Sequence, residues 1–277
     1  MTIAAEDGPL AMKSRFITLK HSKARIEVVE AGPTGKKGGK DLLYLHGAGG
    51  HMPADPLIAA LATRYRVVAP LLPGYGRSTG EDGLRDMLDI TLHTLDVLEA
   101  LKLREPILVG HSMGGMIAAE MAAVARTEVG KLCLLAPAGL WLDEHPIADI
   151  FSKLPYELPA LLFHDPEAGR KLLTAGGGDM ADPEFLKQFL VMNARRLGMA
   201  GKMLFPIPDR GLHQRLPRIA AKTLIVWGAQ DALIPPVYGH AFKKAISKSR
   251  LVSIAKAGHA VGQEKPAAVL KAIRDFF

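Results

Sequence analysis

A serine between two glycines, near the middle of the chain, has the residue types and spacing of an activated nucleophile. Ser112 is the centre of Gly110-x-Ser112-x-Gly114, which follows an apolar run at 107–109 and precedes an alanine-rich stretch at 115–123. This order predicts a strand, a strained turn and a helix, because side chains two residues from the serine would leave no room for the turn. The hydroxyl then lies at a helix N-terminus, where free N–H groups favour developing negative charge. The alternative is a glycine-rich turn without chemistry.

A serine hydroxyl is a weak nucleophile at neutral pH, so it needs a base, and the base needs an acid that orients it. Asp231 and His259 each follow an apolar run, at 222–228 and 250–254. Such runs predict buried parallel strands, whose carboxyl ends meet at the edge where open α/β sheets bind ligands. We therefore expect Ser112 as nucleophile, His259 as general base and then acid, and Asp231 as the carboxylate that fixes the imidazole tautomer. The alternatives are a helix cap for the aspartate and a solvent-exposed loop for the histidine.

Eight apolar runs predict the strands that position these residues, at 15–19, 25–29, 42–45, 65–70, 107–110, 131–136, 222–228 and 250–254. Alternation in 25–29 favours half-buried antiparallel strands at one sheet edge. Helical spacing between the runs predicts an α/β fold, a mostly parallel eight-stranded sheet flanked by helices. In the stretch 84–101, leucines at helical spacing predict a stripe that faces the core, formed by Leu88, Leu92, Leu95 and Leu98.

The alternation of strands and helices stops at 137–217. This segment contains helix-like stretches at 147–154, 167–174 and 184–197, separated by prolines and glycines, and no convincing parallel strand. It predicts a helical cap inserted into the core. The expected division is a core of 1–136 and 218–277 with a cap of 137–217.

Composition limits the function classes. The chain has 277 residues, 48 % of them hydrophobic, and its single cysteine, Cys133, is expected to be a buried, inert thiol. The net charge of +7 comes from scattered basic residues without a nucleic-acid motif, so we expect no nucleic-acid partner. Residues 1–10 lack an apolar core, and no apolar run reaches membrane-spanning length, which favours a cytoplasmic protein without a membrane partner. No metal-binding spacing such as His-x-x-x-His occurs, so no metal or other cofactor is expected.

From about Phe16 to Phe276 the sequence resembles the α/β-hydrolase family. The motifs that carry the resemblance are His46-Gly47-Ala48-Gly49, Pro73-Gly74-Tyr75-Gly76-Arg77-Ser78, Gly110-His111-Ser112-Met113-Gly114-Gly115, Trp227-Gly228-Ala229-Gln230-Asp231 and Gly258-His259. Within the family it is similar to the small capped branch of carboxylesterases, enol-lactonases and hydrolases of meta-cleavage products, which break C–C bonds.

The resemblance implies roles for residues around Ser112. The backbone N–H groups of Ala48 and Met113 would hold a substrate oxyanion, and Gly47 and His111 are candidate substrate contacts. His111 is also expected to be structural, with its side chain directed away from the serine hydroxyl, and His46 is expected to pack or hydrogen-bond beneath the oxyanion loop. A cap arginine, Arg195 or Arg196, would hold a substrate carboxylate, the alternative being a solvated basic helix face.

These observations favour a serine hydrolase that acts on an ester, lactone or related carbonyl of a small apolar molecule. C–C hydrolysis of a vinylogous dioxo-acid, or acyl transfer to an acceptor other than water, would use the same residues. A ligand-binding protein that keeps the fold without turnover is the non-enzyme alternative. The expected partners are a small-molecule substrate and, at most, further copies of the chain.

Overall fold

Eight strands form one sheet in the computed structural model, which describes residues 12–33, 40–52, 54–174 and 182–277. They are β1 (Lys13–Thr18), β2 (Arg25–Ala31), β3 (Asp41–Leu45), β4 (Arg66–Pro70), β5 (Ile107–His111), β6 (Lys131–Leu135), β7 (Lys222–Gly228) and β8 (Ser249–Ile254). Their order across the sheet is β1-β2-β4-β3-β5-β6-β7-β8. β2 is antiparallel to β1 and β4, and the other adjacent pairs are parallel. The predicted fold class is confirmed. The N-terminal stretch 1–10, where no signal peptide or anchor is expected, lies outside the described residues.

The helices between and after the strands cover both faces of the sheet. They are α1 (Pro56–Ala62), α2 (Met87–Ala100), α3 (Met113–Val124), α4 (Leu158–Leu162), α5 (Pro166–Thr174), α6 (Pro183–Leu204), α7 (Leu212–Arg215), α8 (Val237–Ala245), α9 (Val261–Glu264) and α10 (Pro266–Phe276), with 3-10 turns at Glu81–Gly83, Ile150–Ser152 and Leu216–Arg218. Helices α2, α3 and α8 pack in one core cluster, and α1, α9 and α10 pack in the other. Within the described ranges, no helix is both long and apolar enough to cross a membrane.

The central strands are apolar throughout because both of their faces are covered. Along β3, Leu43 and Leu45 lie in the cluster with α2 and α3, whereas Leu42 and Tyr44 lie in the cluster with α1. Side chains of a strand alternate between faces, so burial of both faces requires a continuous apolar run.

Helices α4 to α7 all lie between β6 and β7. In this part of the chain, the described residues 136–174 and 182–221 form helices and turns without a strand. Near its end, α6 buries Met199, Ala200 and Met203 in the cluster that also contains α2 and α3. The inserted segment is thus anchored on the core by the last turns of its longest helix.

The predicted core stripe of α2 is wrong for its first leucines. Leu88 and Leu92 are 58 % and 48 % exposed, while Leu98 is buried. The face that packs on the core contains Ile90, Thr94 and Val97. At about 100° per residue, Leu88 and Leu92 lie roughly 160–200° around the helix from Ile90. The leucine spacing is helical, but its first two members lie on the face of the helix opposite to the core.

Candidate active site

Ser112 lies at a strained turn between β5 and α3. Its backbone has φ 52° and ψ −117°, a conformation that residues other than glycine seldom adopt. A Cβ on Gly110 would lie 2.4 Å from the Gly114 carbonyl oxygen, and a Cβ on Gly114 would lie 2.2 Å from that of Leu45. Both positions therefore require glycine, for the steric reason expected from the sequence. The Ser112 N–H donates to the Leu135 carbonyl at 3.0 Å, which ties the turn to β6.

His259 connects Ser112 to Asp231. Its Nε2 lies 2.9 Å from Oγ of Ser112, and its Nδ1 lies 2.9 Å from Oδ2 of Asp231. A carboxylate can only accept, so the proton is assigned to Nδ1, and Nε2 is left to accept the serine proton. All three residues are buried, and hydrogen bonds and charges act more strongly where water is excluded. The structure thus brings the three predicted residues together with the geometry of a nucleophile, a base and an orienting acid.

The loop 46–50, which follows β3, lies against the serine turn. A Cβ on Gly47 would be 3.2 Å from the Cβ of Ser112, so glycine lets the loop backbone approach the hydroxyl. Beneath the loop, Nδ1 of His46 donates to the Gly47 carbonyl at 2.7 Å, and its Nε2 accepts the Leu72 N–H at 3.0 Å. Burial lowers the pKa of His46 to about 4, so the ring is neutral at pH 7, as these two contacts require.

The two predicted oxyanion donors lie on elements that flank Ser112. Met113 is the first residue of α3, and the first N–H groups of a helix have no partner within it. Ala48 lies in the loop 46–50, and its carbonyl accepts a 3.0 Å hydrogen bond from the buried hydroxyl of Tyr75. The sequence analysis missed this role of Tyr75, because the motif that contains it gives no indication of where the hydroxyl points.

His111 contacts the backbone of His259. Its Nε2 donates to the His259 carbonyl at 3.0 Å, and the two ring centroids are 5.1 Å apart. Burial, and then the neighbouring His259, lower the pKa of His111 to about 3, so it remains neutral. Its other ring nitrogen faces Gly47, at 3.2 Å from where a Cβ would lie. These contacts fit the expected structural role; the substrate contact remains a prediction.

Arg195 of α6 binds the core. Its Nε donates to Oε1 of Glu81 at 2.9 Å, its Nη2 also pairs with that oxygen, and Nη2 donates to the Ser78 carbonyl at 3.1 Å. The guanidinium therefore joins α6 to the segment 78–83. Its charge is already matched by a carboxylate within the protein.

Arg196, the next residue, extends toward the loop 46–50. Its Nε donates to Oδ1 of Asn193 at 2.8 Å, and its Nη1 lies 3.5 Å from the carbonyl oxygen of Gly49. Burial lowers the pKa of the Arg196 guanidinium, which at pH 7 remains charged. Within the described ranges it forms no salt bridge with a carboxylate. Of the two arginines that were predicted to lie in a cap, Arg196 is the one beside the loop that flanks Ser112.

Glu264 is a further residue that the sequence analysis missed. Its Oε2 accepts the N–H of Gly258 at 2.6 Å, and its Oε1 accepts the N–H of His164 at 2.9 Å. The carboxylate therefore joins the residue before His259 to the link between α4 and α5. No local pattern indicates this, because His164 is 100 residues away in the chain.

Histidine rings near the site pack as aromatic groups. His51 stacks on Tyr44 with centroids 5.8 Å apart and meets His46 edge-on at 5.0 Å. Burial lowers the pKa of His51 well below its ordinary value. Across the residues that the structure describes, no group of three or more His, Cys, Asp or Glu side chains is placed to hold a metal ion.

Comparison with known proteins gives relatives over most of the chain. The model of the alpha/beta hydrolase family matches residues 42–272. A 2-hydroxy-6-oxo-6-phenylhexa-2,4-dienoate hydrolase of Burkholderia cepacia is 28 % identical over 280 residues, covering 89 % of this chain and 90 % of that protein. The human (Homo sapiens) monoacylglycerol lipase ABHD6 is 27 % identical over 259 residues, covering 87 % of this chain and 77 % of that protein.

The fold is likewise shared with a solved structure. The 2-hydroxy-6-oxo-6-phenylhexa-2,4-dienoate hydrolase of Rhodococcus sp. strain RHA1 superposes with a TM-score of 0.74 at 20 % identity, covering 96 % of this chain and 99 % of that one. The three similar proteins are hydrolases and a lipase by name, so the expected enzyme class, a hydrolase, is confirmed. The chain therefore belongs to the alpha/beta hydrolase family.

Proposed function

We propose that the protein is a serine hydrolase in which Ser112 attacks the carbonyl carbon of a small apolar ester or lactone. The observation that carries this proposal is the unbroken contact from Ser112 through His259 to Asp231, 2.9 Å at each step. Nε2 of His259 takes the hydroxyl proton as the serine oxygen attacks, and it then gives that proton to the leaving oxygen, which leaves an acyl-enzyme. A water molecule that gives its proton to the same nitrogen then releases the acid and restores Ser112.

The oxyanion of the tetrahedral intermediate would be held by the N–H groups of Ala48 and Met113. Both belong to backbone that other contacts already fix: the Ala48 carbonyl is bound by Tyr75, and Met113 opens α3. Donors fixed before the reaction stabilise developing charge without having to reorganise, and loss of one such donor commonly costs about 10²–10³ in kcat. The close approach of Gly47 to Ser112 supports a substrate carbonyl positioned between loop and helix.

Residues 137–217 would form the cap that selects the substrate. Two contacts support this assignment. The backbone between α4 and α5 lies against Gly258, with the His164 nitrogen 2.9 Å from where a Cβ on Gly258 would be. Arg196 of α6 reaches the carbonyl of Gly49. The segment therefore touches the loops on both sides of Ser112, so its side chains would line the approach to the hydroxyl.

C–C bond hydrolysis of a dioxo-acid is the second candidate function, because Arg196 is a half-buried cation beside the loop 46–50. The B. cepacia relative is named for a substrate of this kind, a phenyl-substituted oxo-dienoate. A guanidinium binds carboxylate strongly and in a fixed orientation. In this case Arg196 would hold the carboxylate end while Ser112, His259 and Asp231 act on the oxo group.

Hydrolysis of p-nitrophenyl esters of increasing acyl length by the wild type and by Ser112→Ala tests the proposal. We expect steady turnover by the wild type, covalent labelling of Ser112 by a fluorophosphonate, and neither in the variant. Turnover that survives in a correctly folded Ser112→Ala protein would refute the assigned nucleophile. A wild type that labels but cleaves only 2-hydroxy-6-oxo-dienoates would favour the second candidate.

A further inference from the structure

The loop that carries His259 is held on both sides of that residue. Before it, the Gly258 N–H donates to Glu264 at 2.6 Å. After it, the Ala260 N–H donates to the Leu162 carbonyl, at the end of α4, at 2.8 Å. Backbone contacts on both neighbours restrict where the His259 Cα lies, and hence where its ring can point.

One carboxylate links this loop to the inserted helical segment. While Oε2 of Glu264 accepts from Gly258, its Oε1 accepts the N–H groups of His164 and Asp165, at 2.9 Å and 3.4 Å. The two sides are packed closely as well, since a Cβ on Gly258 would lie 2.9 Å from the His164 nitrogen. Backbone N–H groups from both sides therefore meet a single side chain that can only accept.

We propose that Glu264 is a positioning residue for His259. By binding both sides it keeps the link between α4 and α5 docked on the His259 loop, and this docking holds the imidazole within reach of Ser112 and Asp231 at once. The reaction depends on sub-ångström placement, since a displacement of about 1 Å can cost about 10²-fold in rate. The inference rests on the proposed hydrolase function and names a residue that supports it without touching substrate.

Glu264→Gln tests the inference with little change of shape. An amide has one acceptor oxygen, so whichever way it turns, its NH₂ faces the N–H groups of one side and that contact is lost. The matched control is Glu157→Gln. Glu157 also accepts a backbone N–H within the inserted segment, that of Leu154 at 2.8 Å, but it is not among the residues that hold Gly258 and Ala260 on either side of His259. The rate of p-nitrophenyl acetate turnover is divided by the number of active sites, counted as the serines that a fluorophosphonate labels at completion.

We expect Glu264→Gln to lower kcat per labelled site about tenfold to a hundredfold, with KM within about twofold, and to slow the labelling by a similar factor. Glu157→Gln should match the wild type. If Glu264→Gln unfolds more easily but its labelled sites turn over at the wild-type rate, the residue is structural only and the inference is overturned. Should the Gln variant fail to fold, Glu264→Asp, which keeps the charge but shortens the reach, is judged by the same criterion.

A measurement independent of turnover separates this inference from the proposed function. The Nδ1 proton that His259 shares with Asp231 should give a downfield proton NMR signal, assigned by its loss in His259→Gln. We expect exchange with water to broaden this signal in Glu264→Gln but not in Glu157→Gln. A wild type that neither hydrolyses the esters nor is labelled by the fluorophosphonate would refute the hydrolase proposal. An unchanged NMR signal of the Nδ1 proton in Glu264→Gln would refute the positioning role, whatever the activity.

Discussion

Asp231 binds His259 with one carboxylate oxygen and the protein backbone with the other. Oδ2 lies 2.9 Å from Nδ1 of His259, while Oδ1 accepts the N–H groups of Leu233 and Ile234 at 3.0 Å and 2.9 Å. The side chain of Asp231 is fully buried. Because two N–H donors fix Oδ1, the carboxylate cannot rotate, and only Oδ2 is available to the imidazole.

Asp231→Asn should therefore inactivate the enzyme without unfolding it. The asparagine oxygen would take the place of Oδ1, where it can accept from the Leu233 and Ile234 N–H groups, and its NH₂ would face Nδ1 of His259. Nδ1 must then accept, so the imidazole proton moves to Nε2, which can no longer take the proton of Ser112. We expect kcat on p-nitrophenyl acetate to fall about 10³–10⁴-fold, with an almost unchanged melting temperature. An Asn variant that keeps a tenth of the wild-type rate would show that Asp231 does not set the tautomer.

Replacement of Gly114 by alanine should destabilise the fold strongly. The new Cβ would lie 2.2 Å from the Leu45 carbonyl oxygen and 2.5 Å from that of His46, so β3 and α3 would have to separate. We expect a loss of about 3 kcal/mol or more in the free energy of unfolding, measured by urea denaturation. Gly49→Ala is the control, since its Cβ would meet nothing within 4 Å. Equal stability of the two variants would contradict the packing described for the serine turn.

His93 on α2 should make the protein less stable in mild acid. Its Nε2 is buried without a hydrogen-bond partner among the described residues, and burial lowers its pKa to about 4. Between the unfolded value of about 6.5 and the folded value, the unfolded chain binds a proton that the folded protein does not. The contribution of the neutral His93 to the free energy of unfolding is therefore fully present above about pH 6.5. It falls as the pH decreases through this window, by on the order of 2 kcal/mol at pH 5.

His93→Leu should remove this dependence. At pH 7 the variant should unfold at an equal or higher urea concentration, since it no longer buries an unpaired nitrogen. At pH 5 the difference in its favour should grow. His240→Leu, at an exposed position of α8, is the control for the substitution itself. If the difference in free energy of unfolding between His93→Leu and the wild type is the same at pH 5 and pH 7, His93 is protonated to the same extent in the folded and the unfolded protein.

The features that sequence could predict are those that local chemistry imposes. Apolar runs marked the eight strands because the central ones are buried on both faces. The glycines around Ser112 marked the turn because a Cβ on Gly110 or Gly114 would overlap backbone atoms. Asp231 and His259 were predictable as candidates because each follows a strand, and the carboxyl ends of parallel strands meet at one edge.

The features that sequence could not predict depend on which side of an element meets which distant backbone. Leu88 and Leu92 have helical spacing, but only the packing of α2 decides that Ile90 faces inward. Arg195 is adjacent to Arg196, yet Glu81, 114 residues away in the chain, is what distinguishes their roles. Nothing in the local sequence distinguishes Glu264 from the other acidic residues, because its contacts with Gly258 and His164 are formed only in the folded chain.

Arg195 and Arg196 provide a final prediction, because they are neighbours with different partners. If a dioxo-acid is a substrate, Arg196→Met should raise KM for a 2-hydroxy-6-oxo-dienoate by about 10–100-fold, the worth of a charge-assisted hydrogen bond of roughly 1.5–3 kcal/mol. The KM for neutral p-nitrophenyl acetate should change little.

Arg195→Met should instead loosen α6, whose ion pair with Glu81 is partly exposed, and lower the free energy of unfolding by about 1 kcal/mol or less. Steady-state kinetics with both substrates and urea unfolding measure these effects. A rise in KM confined to the acid substrate in Arg195→Met, and absent in Arg196→Met, would reverse the assignment. Equal changes for acid and ester in Arg196→Met would mean that this cation shapes the loop 46–50 without binding a carboxylate.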